Sequence, residues 1–575
     1  MSDPQPNVPK DYKALMKMND PSWLKSLNAE LENFLSRGAW KFLPRSQLPN
    51  GRKTLRCRWI FKQKTDAAKT KKSRSVVKGY EQVPGVDFVE SYSPLATNTT
   101  IRVVLAVALE NAQVYEDWFT CLVDVEAAFL NAKVDSDVYI EMPEGLQEYL
   151  KTKGQNIGDS VIKLERAQYG LVQSPRLWME TFSVILKNLG MIQCKTDPCL
   201  FSLHDSKDRL LVLVVVYSDD SIITGRTLHV DDVKSGIQKA VNIADLGTLT
   251  RHLGVNYEFG FDEHGNYLAS SMVDYVKAVV TDFEELTGGP VRSFLTPGVA
   301  TTPPLKSVDP EEVIEIEKYR SFVGRVLFSV SKTDPYSANA VRELTTYLSA
   351  PNAEHWKALT HFIGYLKQGM YPVLKMRPPK ERRVVAFVDS DYASDRNDRK
   401  SVSGYIVTIG GCIVAWQSKK QTGITLSTTE AEFVAMSTVA TEMKFVVSLL
   451  TEIYKKAPLM PSLLKEDNTG AIFMAKNTAI GQRTKHVDIR ARFVNDMVTV
   501  EKTLIVDHIP SGENPSDGMT KNLPDKLHAH HAARIYDGLL NDYEFPVEED
   551  VKPTVALAYR RTVYRPVECT GHTVQ

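Results

Sequence analysis

Cysteine is scarce in this chain, with six residues in 575, and Cys57, Cys121, Cys194, Cys199, Cys412 and Cys569 share no repeated spacing. That pattern excludes a disulfide framework and a cysteine-bound zinc site, so free thiols in a reducing compartment are expected. Net charge is missing as well: 70 Lys and Arg balance 70 Asp and Glu. Composition therefore does not announce a nucleic-acid ligand, and the distribution of charge must be read instead. No apolar run approaches the ~20 residues of a membrane span. The longest, residues 210–216, suits a buried strand, and no membrane partner is expected. The polar, proline-containing N-terminus lacks a signal peptide, and solenoid-period repeats are lacking throughout.

What is present is ordinary folded-protein composition, 43% hydrophobic and 24% charged, in a chain too long for a single core. Three or more domains are expected. Trp23, Leu24, Leu27, Leu31 and Phe34 recur at helical spacing, which predicts an N-terminal helical segment within residues 1–50. Mixed strands and helices occupy residues 51–285. Gly288-Gly289-Pro290 and the prolines at 297, 303, 304 and 310 open a connecting region, residues 286–380, helical from 311 to 370. Arg377-Pro378-Pro379-Lys380 closes it. Residues 381–525 read as a second α/β domain: a strand from Val384, a hairpin turning at Gly410-Gly411, a helix, two more strands and a terminal helix. Residues 526–575 form a tail, and its His528, His530 and His531 lack a metal-binding spacing.

Charge is concentrated between residues 51 and 78. Arg52, Lys53, Arg56, Arg58, Lys62, Lys64, Lys69, Lys71, Lys72, Arg74 and Lys78 stand against one acid, Asp66. A charge run is ordinarily a solvated face. Here the interleaved Trp59, Ile60 and Phe61 predict an ordered strand with cations on one side. Such a side attracts phosphate, with binding that weakens as salt rises.

The acids are patterned too. Tyr217-Ser218-Asp219-Asp220 lies between the apolar run 210–216 and Ile222-Ile223, which predicts a β-hairpin with two carboxylates at its tip. Another carboxylate, Asp124, ends the apolar stretch Cys121-Leu122-Val123, with Phe129 five residues on. Asp in a tight turn is usually explained by local hydrogen bonding. Yet carboxylates about 4 Å apart repel by roughly 4 kcal/mol at an effective dielectric of ~20, so several gathered together call for a cation. Two magnesium ions ~3.5–4 Å apart relieve the repulsion and serve in-line phosphoryl displacement. Asp124, Asp219 and Asp220 are thus candidate metal ligands of a nucleotidyl transferase.

Several further blocks carry a resemblance. They are Arg58-Trp59-Ile60-Phe61-Lys62, Lys78-Gly79-Tyr80-Glu81-Gln82, Gly85-Val86-Asp87-Phe88, Tyr92-Ser93-Pro94 and Tyr169-Gly170-Leu171-Val172-Gln173-Ser174-Pro175-Arg176. Asp245-Leu246-Gly247, Leu253-Gly254, Ser401-Val402-Ser403-Gly404-Tyr405 and Arg483-Thr484-Lys485-His486-Val487-Asp488 come after them in order. From about residue 20 to 525 the chain resembles the reverse transcriptase and ribonuclease H portion of copia-type long-terminal-repeat retrotransposon Pol polyproteins. The resemblance implies an α/β and α+β multidomain fold: a right-hand polymerase of fingers, palm and thumb, a connection segment, and an RNase H-like α/β domain. It implies that Asp124, Asp219 and Asp220 form the polymerase triad, and that Phe129 excludes the extra ribose hydroxyl. Lys62 and Arg74 would hold the nucleotide triphosphate, and residues 169–175, with Tyr169 and Gln173, would shape the pocket. The chain departs from the family at Ser218, where an apolar residue is usual, and at Gln168, where Leu is usual.

In the C-terminal part, Asp389 ends a strand, Glu432 lies just past a helix start, Asp467 ends another strand and Asp517 opens the last helix. The resemblance implies that these four acids hold two magnesium ions, manganese being a substitute, to cut the RNA of an RNA–DNA hybrid. Ser427 and Glu430 fit a capping box, which leaves Glu432 for metal. Asp391 and Asp395 read as solvated loop residues, and His486 as either a catalytic aid or a structural residue. Implied partners are an RNA template, a DNA primer, the hybrid and deoxynucleoside triphosphates, with other element-encoded proteins such as capsid and integrase. The implied location is cytoplasmic, in a virus-like particle if the element is complete, or nuclear. Met1 directly precedes the polymerase block, which fits a processed product or a truncated copy, and the alternative is a domesticated copy that binds nucleic acid with little catalysis.

Overall fold

The computed structural model describes residues 8–63, 70–300, 315–368, 373–477, 490 and 492–540. Lys64, Asp66, Lys69, the block 483–488 with His486, Cys569 and the tail beyond 540 lie outside the described residues.

The expected N-terminal helix spans Pro21–Ser36, capped by Asp20 and burying Trp23, Leu27, Leu31 and Phe34. Leu24 points the other way, 41% exposed. The helix lies on the hairpin Cys57–Gln63 and Lys71–Val77, with Trp23 edge-on to Phe61 at 5.6 Å. Alternation does the rest: Trp59 and Phe61 turn inward, while Arg58, Ile60 and Lys62 turn outward. Strand Trp40–Pro44 pairs with Ser160–Leu164, so the first fifty residues are tied by a sheet to the mixed region instead of standing apart.

The centre is a six-stranded antiparallel sheet in the spatial order Ile243–Thr248, Trp118–Val125, Asp220–Arg226, Leu210–Tyr217, Leu200–His204, Ile192–Gln193. Helix Asn98–Ala112 packs against it and is apolar nearly all round, a pattern that demands cover on every side. The cover comes from the C-terminal domain. Next along the chain, the hairpin Val255–Asp262 and Gly265–Ser271 pairs with Leu374–Met376. Helix Val273–Thr287 runs through the expected boundary at residue 285 and shares one core with helices Ile316–Thr333, Ala338–Thr346 and Ala353–Lys367.

The C-terminal domain is a five-stranded mixed sheet ordered Cys412–Lys420, Val402–Ile409, Arg383–Asp391, Leu459–Glu466, Leu504–His508. Its first three strands are antiparallel, and the last two join in parallel. The hairpin turns at Gly410 and Gly411, both in left-handed conformation with φ of +48° and +88°. Helix Thr428–Tyr454 crosses the sheet. By length and composition it is long and apolar enough for a membrane. Short apolar runs hid this, because Glu432, Glu442 and Glu452 interrupt them. The helix is mostly buried against the sheet and helix Asn98–Ala112.

Candidate active sites

The N-terminal carboxylates meet across a strand ladder. Asp220 opens strand Asp220–Arg226 and is the direct antiparallel partner of Asp124 near the end of Trp118–Val125. Asp219 sits at the hairpin tip, and its carbonyl accepts the N–H of Val125 at 2.9 Å. Ser218, half-buried, adopts φ +60° at the apex, the left-handed region that short polar side chains tolerate better than bulky ones. Its carbonyl accepts the indole N–H of Trp178 at 2.7 Å. Burial first, then the charges of Asp219 and Asp124, push the Asp220 carboxyl up from 3.8 to about 6.

One cleft holds all three acids together with Tyr169, Lys72, Arg74, Arg37 and Glu30. Arg74 lies over the Tyr169 ring at 4.6 Å, and Phe129 meets the same ring edge-on at 5.0 Å. Lys62 is the strand partner of Lys72 but lines the neighbouring groove with Arg58 and Tyr80. Gln173 is fully buried; its Oε1 accepts from Gln82 at 3.0 Å and its Nε2 donates to the Asp87 carbonyl at 3.0 Å. Its amide thus braces the loop instead of facing the cleft. Gln168, also fully buried, accepts the Trp40 indole N–H at 3.0 Å, which satisfies an amide where Leu is usual. Sequence reasoning placed Lys72 only within the phosphate-attracting basic run and passed over Glu30. Glu30 lies on the helix Pro21–Ser36, and burial raises its carboxyl from 4.5 to about 7 despite Arg74 and Lys72 nearby.

The second cluster is deeper. Asp389, Glu432 and Asp517 are 3%, 6% and 4% exposed. Oxygens of Asp389, Asp467 and Asp517 lie within 4.8 Å of one another, as do those of Glu432, Glu466 and Asp467. Burial raises Asp389 and Glu432, the acidic neighbours adding to the effect on each. Burial, then Asp389, raises Asp517 from 3.8 to about 7. Lys521 stands 3.0 Å from Asp517 and 3.8 Å from Asp389, and Thr520 donates a hydrogen bond to Asp389. Glu432 Oε2 and Asp517 Oδ1 are buried with no hydrogen-bond partner. Anionic oxygens without donors are what a divalent cation binds, so the residues present fit such an ion.

Three expectations change. Asp517 lies in the short 3-10 turn Pro515–Met519, and the last helix begins only at Asp525, because Pro515 and Pro524 break the chain twice. Asp395 is not solvated: it pairs with Lys420 at 2.7 Å and accepts the N–H of Asn397 at 2.8 Å. Asp391 is half-buried and its carboxyl is raised by burial. The capping reading holds in altered form, since Ser427 accepts the Glu430 N–H at 3.1 Å while Glu430 reaches back to the Leu426 N–H at 2.8 Å. His528 and His531 are core residues whose rings lie 5.1 and 6.3 Å from that of Tyr336, and burial lowers both to about 4. Glu466 and Lys521 were missed. A charged residue continuing the buried strand Leu463-Leu464-Lys465 was the available signal for Glu466.

Residues 40–297 match the family described as "Reverse transcriptase (RNA-dependent DNA polymerase)". Over most of its length the chain is a relative of copia-type retrotransposon Pol polyproteins, as the motifs implied. It is 31% identical over 518 residues, 87% of its length, to the "Retrovirus-related Pol polyprotein from transposon TNT 1-94" of Nicotiana tabacum. The corresponding polyproteins from transposons RE1 and RE2 of Arabidopsis thaliana are 29% and 30% identical over 91% and 89% of this chain. The chain spans about a third of these curated relatives, 37%, 34% and 34% of their lengths. A solved structure of an RNase H1 isolated from compost aligns with 24% of this chain and 93% of its own, at 14% identity and a TM-score of 0.20, too slight a likeness to argue from.

Proposed function

We propose that the chain is an RNA-directed DNA polymerase that also cleaves the RNA strand of RNA–DNA hybrids. The observation that carries this reading is the gathering of sequence-distant acids into two clusters, Asp124 with Asp219 and Asp220, and Asp389 with Glu432, Asp467 and Asp517. In the first, the central sheet is the palm, and the hairpin Cys57–Gln63 and Lys71–Val77 belongs to the fingers. The helices sharing the core around Phe283 and Phe362 are the thumb. Arg74, held on Tyr169, and Lys72 give the cleft a cationic wall that favours a triphosphate. Phe129, packed on Tyr169, would set how much room a ribose has. Lys62, one strand over, suits the nucleic-acid backbone better than the triphosphate.

Divalent magnesium, when bound, would lower the charge between the acids and activate the attacking oxygen at each site. The side chains of this protein orient the phosphates, exclude water and hold the acids in register. The test is an assay of purified protein with an RNA template, a DNA primer and magnesium. Asp219→Asn should abolish primer extension and leave hybrid cleavage, while Asp467→Asn should do the reverse. Extension that survives Asp219→Asn would overturn the polymerase assignment, and a wild-type chain inert in both assays would favour the domesticated-copy reading.

A further inference from the structure

We infer that Glu466 is a fifth metal-binding carboxylate of the C-terminal site, holding with Glu432 and Asp467 a divalent cation beside the position framed by Asp389, Asp467 and Asp517. The inference rests on the proposed reading of this site as a metal-dependent nuclease. Glu466 ends strand Leu459–Glu466 and is completely buried. Its Oε1 accepts the N–H of Asn468 at 3.0 Å. Its Oε2 is buried with no hydrogen-bond partner, and neither has the Oε2 of Glu432, on the helix that crosses the sheet. Two such oxygens on different elements, shut off from water and facing no donor, point to a ligand that supplies positive charge.

Geometry agrees with a single ion. Ligand oxygens of Glu432, Glu466 and Asp467 lie within 4.8 Å of one another. Oxygens on opposite sides of a divalent cation, at ~2.0–2.6 Å each, are about 4–5 Å apart. One ion can therefore touch all three. Compensation in the protein is also lopsided. Lys521 sits against Asp517 and Asp389 at 3.0 and 3.8 Å. Among the described residues, no Lys, Arg or His forms an ion pair with Glu432 or Glu466. The half of the cluster without its own cation is the half that Glu466 completes.

The test uses Mn2+ alone, on the full chain carrying Asp220→Asn so that the N-terminal acids contribute little. Bound ions are counted by electron paramagnetic resonance, and the rise in Tm on adding Mn2+ is measured in parallel. Glu466→Gln should weaken one ion by about 10- to 100-fold and leave another in place. Glu466→Asp, which keeps the charge, should recover part of the loss. Unchanged count and affinity in Glu466→Gln overturn the inference; should that variant not fold by circular dichroism, unchanged count and affinity in Glu466→Ala do so. Asp389→Asn separates the two readings. If it weakens Mn2+ binding while Glu466→Gln does not, only the fifth ligand falls. If both leave binding untouched, the metal-dependent reading of the whole site falls with it.

Discussion

Asp220 bears a conflict that its neighbours create, since burial and two nearby carboxylates disfavour its charged form, with a carboxyl near 6 against 3.8 ordinarily. Between those values the folded chain holds a proton that the unfolded chain has lost. Without metal, stability should therefore fall as pH rises from about 4 through 6, and stay lower above. Asp220→Asn removes the Asp220 share of that dependence, raising metal-free stability at neutral pH by about 1 kcal/mol after allowance for the half-exposed site, while primer extension is lost. Thermal melts from pH 4 to 8, without metal, check it. Metal requires the same carboxylate deprotonated, so apparent Mg2+ affinity at this site should drop by roughly tenfold per pH unit below about 6. Titration calorimetry at pH 5 and 7 would show that drop or its absence.

Two elements decide how well the acids are held. The hairpin that carries Asp219 turns through Ser218, whose carbonyl is fixed by the Trp178 indole at 2.7 Å. Trp178→Phe deletes that donor, should cost about 1 kcal/mol, and should lower kcat for extension while hybrid cleavage stays unchanged. Equal losses in both activities would mean that the hairpin is not what Trp178 serves. The helix carrying Glu432 starts at Ser427, whose side chain accepts the Glu430 N–H at 3.1 Å. Ser427→Ala should cost about 1 kcal/mol, read as a drop in Tm of a few degrees.

Across the whole molecule, the C-terminal domain shares one core with the N-terminal sheet and its helix Asn98–Ala112. Arg102, on the helix Asn98–Ala112, lies 3.5 Å over the Trp416 ring and donates to the carbonyls of Ser331 and Lys332 at 2.9 and 3.0 Å. One side chain thus ties three units, and burial lowers its guanidinium only to about 9, still charged at neutral pH. Around it, Thr99 donates to Glu442 at 2.7 Å, and Arg382 pairs with Glu110 at 2.7 Å. Arg102→Met should cost about 3 kcal/mol by leaving two half-buried carbonyls without this donor and removing the cation from the Trp416 ring. Scanning calorimetry should show one transition for the N-terminal and C-terminal parts together; two well-separated transitions would contradict the shared core.

Local pattern alone determined the elements that carry the acids. Continuous apolar runs marked the strands around Asp124 and Asp389, turn residues marked the 218–219 apex and Gly410-Gly411, and helical spacing marked Trp23 to Phe34. These signals are read within a few residues, where backbone propensity and side-chain direction decide the outcome. Only tertiary structure decided which acids meet. Glu466 joined the cluster because parallel pairing sets its strand beside Arg383–Asp391, a contact between residues some eighty positions apart. Gln173 was drawn into a buried amide network and Lys62 to a neighbouring groove by packing that no short window contains. The helix Thr428–Tyr454, apolar enough for a bilayer, found its apolar surroundings inside the protein instead, because the sheet and helix Asn98–Ala112 could bury it there.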